Sequence, residues 1–279
     1  MRTILVPSDF SDASLNAALF ALGFAQQVGA KKIIFYHTYN IPITVTADPT
    51  LYNVENLDFE ELKSAAQNGL KEFEAQLNDI SHPDVEISLL ANYGYLTEDI
   101  HKACLDTESE LIIMGSSGGG ILTENIIGSD TVIVARESTI PVIIVPAHTP
   151  FRPLKKILLV SDFIDIKNTV PDQQIKMLID ATKGELHILN ITSSSYESFN
   201  SGSQECFTFL DLLDPIEPIF HFEIYPDFIK GINNFAVQME ADIVIVVPKK
   251  HGFFESLFYK SHTKELAFHC CLPILAMHK

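Results

Sequence analysis

Three features of this sequence predict an α/β fold of two tandem domains, each a five-stranded parallel sheet flanked by helices. The first is an internal repeat. Residues 2–12 (RTILVPSDFSD) match residues 155–165 (KKILLVSDFID) at an offset of 153, pairing Ser8 with Ser161, Asp9 with Asp162 and Phe10 with Phe163. The second is a series of short, nearly continuous Val/Ile/Leu runs, the pattern of strands covered on both faces. The third is helical periodicity between those runs, and such alternation gives a parallel sheet through right-handed crossovers.

In the first copy, strands are expected at residues 3–6, 33–37, 86–90, 111–114 and 142–145. Residues 12–28 read as a helix with an acidic start and Gly29 just beyond its end. Residues 59–77 form a second amphipathic pattern (Leu62, Ala66, Leu70, Phe73, Leu77), 97–105 a shorter third, and 129–136 a fourth. Toward the end of each copy the offset becomes 132, laying Pro141 on Pro273, Ser129 on Ser261 and Thr131 on Thr263. The difference of 21 residues points to residues 40–58 (NIPITVTADPTLYNVENLD) as the surplus of the first copy. The proline-bearing stretch 147–153 (AHTPFRP) is the natural joint, so the domains are placed at 1–149 and 150–279.

Composition narrows the function. With 47% hydrophobic residues in 279, the chain can bury two cores. No apolar run approaches the roughly 18 residues of a membrane span, and the N-terminus lacks the long apolar region of a signal peptide. Nineteen Lys and Arg against 36 Asp and Glu give a formal charge of −17, which repels nucleic acid and anionic lipid. The four cysteines show neither a CxxC pair nor a metal-ligand spacing, as expected of a reduced, cytoplasmic chain.

Ligands of open parallel sheets bind beyond the carboxyl ends of the strands, which directs attention to the residues after Val6, His37 and Met114. The segment after Met114 is rich in glycine: two residues separate Gly115 from Gly118, nine separate Gly118 from Gly128, and Ser129 follows. Glycine lets backbone N–H groups converge on an anion, and a helix opened at Gly128–Ser129 would add its own unsatisfied donors. A flexible Gly/Ser loop ended by a capping serine would read the same way. A Walker loop is excluded because no glycine precedes a lysine, and HExxH is absent. GxSxG fits residues 115–119, but three glycines follow Ser117 where a hydrolase elbow would launch a helix.

The pattern Gly-x2-Gly-x9-Gly-Ser, the opening Ile4-Leu5-Val6-Pro7-Ser8-Asp9 and the closing Ile140-Pro141-Val142-Ile143-Ile144-Val145-Pro146 together resemble the universal stress protein family, here as a tandem member. The resemblance implies an adenine-nucleotide α-hydrolase-like fold that binds ATP, with Mg²⁺ held through the phosphates. It implies that Pro7, Ser8 and Asp9 line the adenine and ribose side, that Thr38 meets the adenine edge, and that Met114 and Gly115 lie against the ribose. Ser117, Gly118, Gly128, Ser129 and Asp130 would surround the phosphates. The alternative for Asp9 is a turn residue ahead of the first helix, and His37 reads as a packed strand-end histidine.

The second copy departs from this pattern: Val247, Lys250 and Lys260 replace the three glycines, and only Ser261 survives. Its phosphate site should be lost, although Lys249, Lys250, His251, Lys260, His262 and Lys264 form a basic cluster that reads as a solvated face. Three function classes follow: an ATP-binding stress-response regulator with at most slow hydrolysis, a nucleotide-dependent enzyme or Ser117 hydrolase, and an interaction module with a vestigial site. The last strand of each copy, 141–145 and 273–277, is apolar on both faces, too apolar for a solvated sheet edge. The two are expected to pair within one chain as an internal pseudo-dimer, with further homo-oligomerisation left open.

Overall fold

The computed structural model describes residues 2–41, 59–77, 84–116, 128–192, 203–248 and 272–279. Its N-terminal half runs β1 (Thr3–Pro7), α1 (Asp12–Val28), β2 (Lys32–Tyr39), α2 (Phe59–Ala75), β3 (Glu86–Tyr93), α3 (Leu96–Asp106), β4 (Leu111–Gly115), α4 (Ser129–Glu137) and β5 (Val142–Val145). The C-terminal half runs β6 (Lys156–Val160), α5 (Ile166–Thr169), α6 (Asp172–Thr182), β7 (Glu185–Thr192), α7 (Gln204–Leu213), β8 (Ile219–Ile224), α8 (Phe228–Gln238), β9 (Ile243–Val246) and β10 (Ile274–Ala276). The strands expected in the first copy are all present, most of them extended by one to three residues at an end. The residues from 42 to 58, most of the expected surplus, lie outside the described residues.

The ten strands among the described residues form one sheet in the order β3-β2-β1-β4-β5-β10-β9-β6-β7-β8. Within each half every pair is parallel, and β5 meets β10 antiparallel, with Ile144 opposite Ile274 and Val142 opposite Ala276. The expected edge pairing thus fuses two five-stranded sheets into one. The central strands are buried on both faces: Ile143 and Leu275 join one apolar cluster, Val142 and Ala276 the other. That is why their sequences are continuous rather than alternating.

The joint between halves is fixed to α1 rather than loose. The Asn16 side chain donates to the carbonyls of Pro146 (2.9 Å) and Thr149 (3.0 Å). Gln27 donates to Leu154 O (3.0 Å) and accepts from Leu154 N (2.9 Å), satisfying both backbone groups of one residue. Phe151 packs edge-on against Phe20 and covers Gly23, where a Cβ would stand 2.3 Å from the ring.

The helix of the second half differs from α1 for a local reason. Pro171 stands at the N-cap of α6 and cannot donate, so the helical path breaks into the short α5 and the 11-residue α6. The 17-residue α1 has no such interruption.

Candidate functional site

The first turn after β1 is built the same way in both halves. Phe10 and Phe163 adopt left-handed backbone conformations with φ of 65° and 61°. The preceding serine supports each turn, because Phe10 N–H donates to Ser8 Oγ (3.0 Å) and Phe163 N–H to Ser161 Oγ (3.1 Å). His37 Nδ1 lies 2.8 Å from the Ser8 carbonyl, and Asn190, its counterpart at offset 153, donates to the Ser161 carbonyl at 3.0 Å. An amide performs the same task in the twin, so His37 is a structural hydrogen-bond donor through Nδ1.

Asp9 Oδ1 accepts from the N–H (3.1 Å) and hydroxyl (2.5 Å) of Ser11, which is itself the N-cap of α1. Asp162 Oδ1 likewise accepts from Ile164 N–H at 3.0 Å. Asp9 is therefore a turn-holding residue that also faces the cleft described next.

In the first half a cavity of about 250 Å³ opens at the carboxyl ends of β1, β2 and β4. Pro7, Ser8, Asp9, Thr38, Met114, Gly115, Gly128, Ser129 and Asp130 all line it. Ser117 and Gly118, the remaining two expected residues, lie outside the described residues. Ser14, Tyr36, Leu96 and Thr131 also line the cavity and escaped the sequence reading. Thr131 had a signal, its match to Thr263 in the repeat. Its hydroxyl donates to Gly115 O at 3.0 Å, locking α4 to the end of β4.

The start of α4 needs one refinement. Gly128 is the N-cap and brings no capping side chain; Ser129 is the first helical residue, so the alternative of a capping serine is not what the structure holds. Gly128 N–H is not a phosphate donor, because it donates to Ser116 O at 2.6 Å. That bond pins both ends of the glycine-rich segment at the cleft. The N–H groups of Ser129, Asp130 and Thr131 belong to the first turn, where no intrahelical carbonyl reaches them. Together with the helix dipole they favour an anion there.

The corresponding place in the second half is nearly closed. A cavity of only about 40 Å³ remains, lined by Ser161, Asp162, Thr169, Val170, Phe228 and Val247 among others. Val247 and Phe228 stand where the first half has Gly115 and Leu96, and the break before Pro171 brings Val170 into the cleft. Phe163 is 4% exposed, against Phe209 and Phe222, whereas Phe10 is 38% exposed. The basic cluster of residues 249–264 lies outside the described residues. A larger groove of about 730 Å³ runs between the joint and α8, but among the described residues its lining includes none from the first turn of a helix.

Comparison with known proteins agrees with this fold. A universal stress protein of Methanocaldococcus jannaschii is 26% identical over 156 residues, covering 52% of this chain and 94% of the relative. Among solved structures, a universal stress protein from Archaeoglobus fulgidus DSM 4304 superposes with a TM-score of 0.68 at 18% identity, covering 99% of this chain and 96% of the other. A functionally unknown protein of Pseudomonas aeruginosa PAO1 gives 0.56 at 16% identity, covering 99% and 92%. The profile of the universal stress protein family matches residues 1–146, more than half of the chain, and spans β1 to β5 with the cleft between them: the chain belongs to the universal stress protein family.

Proposed function

We propose that the protein is a stress-response regulator that binds one ATP per chain in the first-half cleft, with Mg²⁺ bridging the phosphates. The observation that carries this reading is the contrast between the two clefts. One is open, with an uncapped helix start and a Cβ-free strand end; its twin is filled by side chains. In this reading Pro7, Asp9 and Thr38 flank the base and ribose, Met114 and Gly115 lie under the ribose, and Ser129 and Asp130 face the phosphates. Gly128 shapes the entry to α4. Ser117 and Gly118 complete the phosphate side, as the family resemblance implies.

Hydrolysis in this reading is slow at most, because phosphoryl transfer to a water that no residue orients is slow. The units are taken as residues 1–149 and 150–279, an active and a degenerate copy within one cytoplasmic pseudo-dimer.

Titration calorimetry with Mg·ATP on the full chain tests the proposal, with one site per chain expected and two equivalent sites excluding it. The twin aspartates sharpen the test. Asp9→Ala and Asp162→Ala each remove the acceptor of the same kind of turn, so their structural cost is shared. Only Asp9→Ala is expected to weaken ATP, by about tenfold, the equivalent of one charge-assisted hydrogen bond of about 1.4 kcal/mol. Equal effects of the two substitutions would remove the distinction between the clefts.

A further inference from the structure

Strands β7 and β8 carry two histidines on one face of the sheet, far from the candidate cleft. His187 Nδ1 and His221 Nε2 are 3.0 Å apart. The rings are inclined by only 20° with centroids 5.2 Å apart, so these nitrogens meet head to head. One N–H must donate while the other nitrogen accepts with its lone pair. The contact is buried on the His187 side and half-buried at His221. His187 is 8% exposed, its Nε2 is buried with no hydrogen-bond partner among the described residues, and Phe235 of α8 lies 4.8 Å from the His221 ring.

Charged groups stand on each neighbouring element. On β7, Glu185 lies 3.8 Å from His187 Nε2. On β6, Lys156 donates to the Met239 carbonyl at 2.8 Å and lies 3.7 Å from Glu240. On β8, Glu223 stands two residues beyond His221, opposite Ile191 of β7. On α8, Lys230 is turned toward Asp227 at 3.9 Å.

We propose that the His187–His221 pair is an acid-released latch that holds the outer strand β8 and helix α8 on the second half. Neutral imidazoles carry two ring protons between them, and the N–H···N bond uses one. A first added proton leaves that bond intact and is attracted to His187 Nε2, facing Glu185. A second puts an N–H on both facing nitrogens and two cations about 3 Å apart in a poorly hydrated place, which the bond cannot survive. Burial lowers the pKa of His187, opposed by Glu185 and reinforced by Lys156; burial and then His187 lower that of His221. Unfolded histidine takes its proton near 6.5, so the folded pair binds fewer protons just below that pH. The latch's stabilisation is therefore complete above about pH 6.5 and is lost as pH falls through the lowered folded values.

The test is amide hydrogen exchange on the full chain at pH 7.5 and 5.0, corrected for intrinsic rates. A loss of protection confined to β8 and α8 is expected in acid, measured relative to the protection of β1 and β4. The double variant His187→Phe/His221→Phe removes both partners, keeps ring packing and should abolish that selective loss. An unchanged loss in the double variant overturns the latch. Should the variant not fold, nitrogen-15 titration of the wild-type imidazoles decides: two coupled steps below 6.5 are expected, and two independent titrations at 6.5 or above refute it.

Discussion

Gly115→Val is expected to abolish ATP binding and to cost the first half about 3 kcal/mol. A Cβ at Gly115 would stand 2.8 Å from the Ala13 carbonyl oxygen and 2.9 Å from its carbon. Those atoms belong to the first turn of α1, so no rotamer change relieves the clash; the helix start or the strand end must move. The same displacement would disturb the Thr131 bond to Gly115 O that locks α4 to β4. Both sides of the cleft therefore shift together. Urea unfolding and calorimetry on the full chain measure the two effects. Val247→Ala, at the matching position of the filled cleft, is the control and should leave ATP affinity unchanged. Near-native affinity in Gly115→Val would show that the strand end does not shape the site.

The second large effect concerns the joint. Residues 1–149 expressed alone are expected to dimerise or aggregate rather than persist as a monomer. Separation exposes the backbone edge of β5 along Val142, Ile143 and Ile144, which β10 covers in the intact chain. An apolar, unprotected edge is a template for another strand. It also removes Leu154, leaving the Gln27 side chain without the backbone N–H and carbonyl that it bonds in the intact chain. In the intact chain the covalent joint supplies the partner at high effective concentration, so the internal pairing prevails. Sedimentation velocity of each half checks this. A stable, soluble monomer in both cases would mean that the β5–β10 pairing contributes little.

The sequence by itself determined much of this protein. The offset repeat and the continuous Val/Ile runs carried the α/β class, because strands covered on both faces have no polar face to show. The glycine spacing after Met114 drew attention to the place where β4 and α4 meet. Local chemistry was equally legible where neighbours in the chain decide it, as with the helix over residues 12–28, whose observed bounds are the expected ones.

Tertiary structure decided what depends on residues distant in the chain. That Gly128 N–H is spent on Ser116 O, and that Thr131 ties α4 to β4, are contacts between residues 12 and 16 positions apart in the chain. The closing of the second cleft took three unrelated replacements, Val247, Phe228 and the break at Pro171, converging on one volume. The His187–His221 bond likewise joins residues 34 apart whose meeting depends on strand register. Composition and periodicity record which face a residue occupies; only the packed sheet fixes which atoms meet, because a shift of one residue in register would point either histidine to the opposite face.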